Sequence, residues 1–223
     1  MTSFILLPGA GGTSWYWSRV IPLLEAAGHE AIAVDLPGDD PAAGLPEYVE
    51  LTLDAIGDRR DVTLVAQSLG GFTAAAAWER ANVAEVVLVN AMIPVPGETA
   101  GAWWGNVGWE EARSRAASMG DYSEEFSLEE YFLHDVALEV AAEGEPFQQP
   151  EAEAVFGSVC SFSGWPEGRL RVISGADDRF FPVEFQRRVA LERVGVEPVV
   201  VPGGHLVALA RPEALVRALG WHS

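Results

Sequence analysis

Six short apolar runs punctuate the chain: Phe4–Leu7, Ala31–Val34, Val62–Ala66, Glu85–Val89, Leu170–Ile173 and Pro198–Val201. Each is continuous rather than alternating, the pattern of strands covered on both faces in a parallel sheet. Helical stretches fill most of the gaps, about Trp15–Ala27, Pro46–Ile56, Leu69–Arg80, Val183–Arg193 and Pro212–Leu219, with Gly28 and Gly195 placed to cap two of them. This strand–helix–strand rhythm predicts an α/β fold, a doubly wound and mostly parallel sheet. The rhythm breaks once. Between Pro94 and Pro166 the sequence is acidic, tryptophan-bearing and partly helical, which predicts a helical cap inserted at 95–166 into a core formed by 1–94 and 167–223.

At 223 residues the chain suits one domain and buries enough surface to need no disulfide, and its single cysteine, Cys160, has no partner within the chain. A reducing compartment fits that usage. The opening segment MTSFILLPGAGG carries no basic leader, and its apolar run is too short for a signal or a membrane span. The expectation is a soluble, cytoplasmic protein. A net charge of −19 argues against nucleic acid and against anionic membrane surfaces, both of which select basic footprints. All fourteen basic residues are arginine, which excludes Schiff-base and P-loop lysine chemistry. From Glu98 to Glu153 there are fourteen acidic residues against two arginines, a charge that either clothes an outer face or faces a pocket mouth.

The sharpest chemical signal is Val62-Thr-Leu-Val-Ala-Gln-Ser68-Leu-Gly-Gly71, where a buried strand runs straight into a helix. A serine at such a turn presents its hydroxyl at the sheet edge, and the helix N-terminus behind it favours negative charge. Small residues must flank it because the turn is tight, and Ala66 and Gly70 take those places. The first strand leads into a second signal, the glycine-rich loop Leu7-Pro-Gly-Ala-Gly-Gly-Thr-Ser-Trp-Tyr-Trp17. Such a loop supplies a backbone N–H that, with the N–H after the nucleophile, forms an oxyanion hole; the candidate donors are Ala10 and Leu69. Gly9-Ala-Gly11 also resembles the opening of a dinucleotide-binding motif, but position 14 holds serine where the third glycine belongs.

Four histidines compete for the role of base. His29 precedes a strand and so lies at the opposite edge of the sheet, His222 is next to the terminus, and His134 falls in the insertion as a cap or substrate contact. His205, in Val201-Pro-Gly-Gly-His-Leu, follows the last strand and is the candidate. A carboxylate that orients it should end the preceding strand, where Ile173-Ser-Gly-Ala-Asp-Asp-Arg-Phe-Phe-Pro182 offers both Asp177 and Asp178; spacing alone does not choose.

Taken together these residues resemble the α/β-hydrolase superfamily over nearly the whole chain. Within it, Pro8-Gly-Ala-Gly-Gly-Thr-Ser-Trp-Tyr-Trp17, Asp35-Leu-Pro-Gly38 and Pro202-Gly-Gly-His-Leu206 are similar to the plant-type methylesterases, the hydroxynitrile lyases and their bacterial relatives. The resemblance implies an acid three residues after Gly175 and four before Pro182, which is Asp178. Pro8 replaces the usual histidine, and the active-site lysine of the lyases has no counterpart here. The implied activity is hydrolysis of a small, neutral, apolar or aromatic carboxylic ester by Ser68, His205 and Asp178, with Trp103, Trp104, Trp109 and His134 as candidate pocket walls. No metal, nucleotide or redox cofactor is implied, the partner is a small-molecule ester, and oligomeric state is left open. Two alternatives keep the fold: a non-hydrolytic enzyme (lyase, cyclase or cofactor-independent oxygenase) and a non-catalytic ligand receptor.

Overall fold

A computed structural model describes residues 1–120 and 122–220. Its strands are β1 (Ser3–Leu7), β2 (Glu30–Ala33), β3 (Val62–Gln67), β4 (Val83–Val89), β5 (Leu170–Gly175) and β6 (Val199–Val201). They form one sheet in the order β2-β1-β3-β4-β5-β6, every neighbouring pair parallel. The continuous apolar runs explain the interior places: β1 and β3 are buried at every residue, while edge strand β6 leaves Val199 and Val200 exposed. Alternate residues feed two cores. Ile5, Leu7, Leu64, Ala66, Val86 and Leu88 pack on one face with Tyr48, Phe72 and Phe185. Phe4, Leu6, Val65, Val87 and Val89 pack on the other with Trp17, Leu24 and Leu215.

The helices of the core are α1 (Ile21–Ala26), α2 (Leu45–Ile56) and α3 (Gly70–Ala77). Beyond the insertion follow α8 (Val183–Val194), α9 (Val207–Ala210) and α10 (Pro212–Ala218). The single helix expected over Trp15–Ala27 is instead a 3-10 turn at Ser14–Trp17 followed by α1. Pro22 has no N–H to give and fits only the first turn of a helix, so the α-helix begins beside it. Helix α3 likewise tightens to 3-10 geometry at Trp78–Arg80, and one-turn α9 escapes the periodicity reading altogether. Among the described residues no helix is long and apolar enough to cross a membrane.

Between β4 and β5 the chain leaves the sheet and forms α4 (Ala100–Asn106), α5 (Trp109–Gly120), α6 (Leu138–Gly144) and α7 (Glu153–Gly157). Its two ends are stitched together by an antiparallel bridge between Thr99 and Val159. Gly97 N–H donates to the Cys160 carbonyl and Cys160 N–H to that of Glu98, each at 2.9 Å. The Glu98 side chain is 3% exposed and accepts both terminal nitrogens of Arg193 on α8, at 2.5 and 2.9 Å. It also accepts Asn106 Nδ2 at 2.8 Å and the Val95 N–H at 3.2 Å. Burial alone would raise the proton affinity of this carboxyl, but Arg193 and Asn106 outweigh it and hold it below the usual carboxylate range.

Removing one partner of a buried pair strands the other charge, at a cost of about 3 kcal/mol or more. Glu98→Ala is therefore expected to lower Tm by roughly 6–12 °C for a domain of this size. Because the folded-state carboxyl titrates lower than the unfolded one, the wild-type advantage is full above the unfolded value and is lost as pH falls through the folded one. Calorimetry of both proteins at neutral and descending pH checks this; a constant difference in Tm would refute it.

Candidate active site

Ser68 is the residue immediately after β3, and its backbone sits in the left-handed region at φ 50°. For a non-glycine residue this conformation costs on the order of 1–3 kcal/mol, so the surroundings must impose it. They do so from three sides. Ser68 N–H donates to the Val89 carbonyl at 3.3 Å, while its own carbonyl accepts Met92 N–H at 2.9 Å and Gly71 N–H at 3.1 Å. Ala66 stays within the strand, paired with Leu7 and Leu88 at negative φ, so its methyl group needs no special backbone freedom. Gly71 is different: a Cβ there would stand 2.0 Å from the Met92 carbonyl oxygen.

The loop after β6 brings His205 back over the ends of β4 and β5. Its Nε2 lies 3.1 Å from Ser68 Oγ and its Nδ1 lies 2.8 Å from Asp178 Oδ2, all three side chains being buried. Asp178 Oδ1 accepts the N–H groups of Phe180 and Phe181 at 2.8 Å each, and Oδ2 also accepts Gln186 Nε2 at 3.2 Å, which fixes the plane of the carboxylate. Asp177 is exposed and accepts the Gly203 N–H at 3.1 Å, so it tethers the histidine loop and not the ring. Phe132, Phe180 and Phe181 stand edge-on to the imidazole with centroids 4.9, 5.1 and 5.0 Å away.

Two further side chains hold that loop and were not singled out by sequence reasoning. Asn90, buried just beyond β4, donates Nδ2 to the carbonyls of Gly204 and His205 at 3.0 and 3.1 Å and accepts Gly175 N–H at 2.7 Å. Gln67 Nε2 reaches the His205 carbonyl at 3.3 Å. The available signal was an amide residue at or just past the carboxyl end of each of two mainly apolar strands, since a buried amide must find partners. Of the other histidines, His29 lies edge-on to Phe4 at the amino end of the sheet, and His222 is outside the described residues. His134 packs against Gly204, outside the cavity described next.

β1 pairs with β3, Leu7 beside Ala66, so the glycine-rich loop and Ser68 emerge side by side. Among the described residues, neither the Ala10 N–H nor the Leu69 N–H donates to another group. Both residues line, with Ser68 and His205, a cavity of about 420 Å³. Its walls are mainly apolar, with Trp15, Trp104, Phe126, Phe132, Phe156 and Phe180 among them, interrupted by polar residues such as Gln67 and Gln148. Among the described residues no aspartate, glutamate or arginine lines it, so the described acidic side chains of 98–153 stand outside.

Of the three candidate wall tryptophans only Trp104 reaches the cavity. Trp103 points into the core, wholly buried, with its indole N–H on the Ile93 carbonyl at 3.2 Å, because neighbours on a helix diverge by about 100°. Trp109 backs Trp104 at a centroid distance of 4.7 Å and donates to the Phe180 carbonyl at 2.8 Å. Burial pushes the Cys160 thiol up to about 12, which disqualifies it as a rival nucleophile, and it raises the Tyr16 phenol as well. Among the described residues no three His, Cys, Asp or Glu side chains gather as a metal ligand set.

The model of the alpha/beta hydrolase family matches residues 4–218. A rice protein named as a probable esterase (Oryza sativa subsp. indica) is 38% identical over 112 residues, 44% of this chain and 42% of its own length. The chain thus spans about two fifths of the length of that relative. A pyrethroid hydrolase of Sphingobium wenxiniae is 27% identical over 244 residues, covering 98% of this chain and 86% of its own. The crystal structure of a pyrethroid hydrolase from Sphingobium faniae superposes with a TM-score of 0.74 at 22% identity, covering 98% of this chain and 96% of that one.

The tight passage of Gly71 under Met92 has a measurable consequence. Gly71→Ala must push the helix off the carbonyl, with overpacking of this kind costing about 1–3 kcal/mol. The expected result is a lower Tm together with loss of whatever chemistry depends on the Ser68 turn, read by thermal melting and serine labelling. Unchanged melting and labelling would show that the contact is easily relieved.

Proposed function

Because the chain belongs to the alpha/beta hydrolase family, we propose that it is a serine hydrolase cleaving a small, neutral, apolar or aromatic carboxylic ester. The observation that carries this reading is the buried Asp178–His205–Ser68 hydrogen-bond chain at the floor of a cavity that, among the described residues, no aspartate, glutamate or arginine lines. The names of relatives as esterase and pyrethroid hydrolase agree with it.

His205 Nε2 takes the proton of Ser68 as Oγ attacks the ester carbonyl. Asp178 holds the Nδ1–H tautomer and stabilises the imidazolium that forms. The developing oxyanion is received by the N–H groups of Ala10 and Leu69, each such donor being worth about 3 kcal/mol of barrier. His205 then gives its proton to the leaving alcohol, and water, activated by the same imidazole, releases the acid from the acyl-enzyme. Residues 95–166 act as a cap that closes the site with aromatic side chains, and the ring edges around His205 exclude solvent from the proton path.

Three expectations follow from these roles. A fluorophosphonate should form a single adduct on Ser68, and Ser68→Ala should abolish both adduct and ester turnover while the protein still melts cooperatively; an adduct elsewhere defeats the assignment. Asp178→Asn should reduce kcat on p-nitrophenyl esters by about 10⁴-fold through loss of the correct tautomer, with Asp177→Asn changing it far less. The opposite ranking would transfer the role to Asp177. Finally, kcat/KM for a neutral aryl ester should exceed that for its carboxylate-bearing analogue, since among the described residues no arginine lines the cavity to pair with a second anion. Salt should leave that gap in place, because desolvation is not screened by ions; equal values at low salt would exclude an uncharged pocket as the source of selectivity.

A further inference from the structure

The glycine-rich loop carries the Ala10 N–H, and a loop of small residues does not hold its own peptide planes. Here each of three successive planes has a partner, one within the loop and two from outside it. The Gly9–Ala10 peptide is held through the Gly9 carbonyl, which accepts Gly12 N–H at 3.1 Å. The Ala10–Gly11 peptide is held through its N–H, which donates to Glu151 Oε2 at 2.7 Å. The Gly11–Gly12 peptide is held through the Gly11 carbonyl, which accepts Gln149 N–H at 3.3 Å. Peptide N–H and C=O groups point opposite ways across a trans bond, so fixing the planes on both sides of Ala10 fixes the direction of its N–H.

Two of these three partners come from one short strap between α6 and α7. Its carboxylate is anchored in turn: Tyr48 on α2, itself buried, donates its hydroxyl to Glu151 Oε1 at 2.5 Å. Gln149 secures the same strap by donating Nε2 to the carbonyls of Leu36, at 2.7 Å, and Gly12, at 3.4 Å. The loop so held abuts the serine, since a Cβ on Gly9 would stand 2.7 Å from Ser68 Cβ. Glu151 does not itself line the cavity and touches no reacting atom.

We propose that Glu151, braced by Tyr48, is a positioning residue that sets the direction of the Ala10 N–H and so forms the oxyanion hole. The proposal rests on the reading that Ser68 attacks an ester. It gives the insertion a part in the chemistry, because the strap reaches the catalytic floor through the backbone of the loop.

The test compares wild type with Glu151→Ala, Glu151→Asp and Glu151→Gln, using p-nitrophenyl ester kinetics, the rate of fluorophosphonate labelling at Ser68 and hydrogen exchange of the Gly11 amide. A donor displaced rather than deleted should cost less than full removal, so kcat and the labelling rate should fall about 10- to 100-fold in Glu151→Ala. KM should change by less than about threefold, since the oxyanion exists only beyond the ground state. Glu151→Gln keeps an acceptor for Gly11 and should restore most of the rate. Glu151→Asp, whose carboxylate is withdrawn by one methylene, should behave like the alanine variant and serves if that one fails to fold. Variants that exchange the Gly11 amide freely yet turn over like wild type would overturn the positioning role alone. A wild type that neither labels at Ser68 nor hydrolyses any ester would overturn the esterase reading and this proposal with it.

Discussion

The parallel pairing of β1 with β3 sets where everything else at the carboxyl edge must go. Strand order reverses there, β2 lying outside β1 and the later strands outside β3, so the loops that follow the two strands diverge and leave a crevice between them. Open α/β sheets place ligands at such a point. In register, Leu7 beside Ala66 brings the glycine-rich loop against the serine turn without any side chain having to reach. His205 has a longer journey, because β6 is the far edge strand. Its loop is drawn back over the sheet by amides at the ends of nearer strands, Asn90 after β4 and Gln67 closing β3, with Asp177 fixing the intervening backbone.

The central sheet was legible because buried parallel strands must be apolar without interruption, a pattern few other structures demand. Helix ends were less so: Pro22 marks a start that the periodicity of Trp15–Ala27 runs across, and α9 is too short to have a period. Ser68 and His205 stand out in the sequence because the one follows directly on a strand and the other comes four residues after one, where topology already dictates direction. The choice between Asp177 and Asp178 is a matter of one residue in a turn, which depends on Phe180, Phe181 and Gln186 donating to one carboxylate; spacing carries no trace of that. Trp103 and Trp104 differ for a similar reason, as adjacent helical positions face different surroundings and composition treats them alike. Asn90, Gln67 and Glu151 were illegible since their partners lie 85 to 140 residues away.

Charge is arranged with equal economy. Among the described residues of this chain of net charge −19 no carboxylate lines the cavity, and a buried ion pair, Glu98 with Arg193, fastens the insertion to α8. Around His205 three phenyl rings take the place of solvent. A site enclosed this way has few competing dipoles, so the fixed groups that remain act across a weakly screening medium.

The span of 137 residues between Ser68 and His205 also governs when the two can meet. A ribosome emits the amino-terminal strands first, at roughly 5–20 residues per second, so about 7–30 s separate synthesis of the serine from synthesis of the histidine. Throughout that interval the hydroxyl lacks the imidazole of His205, and the two amide nitrogens that anchor the returning loop lack the carbonyls of Gly204 and His205. The strand that completes the sheet is thus also the one that brings imidazole and hydroxyl together, and a nascent chain stalled short of β6 would lack that contact however well its middle had folded.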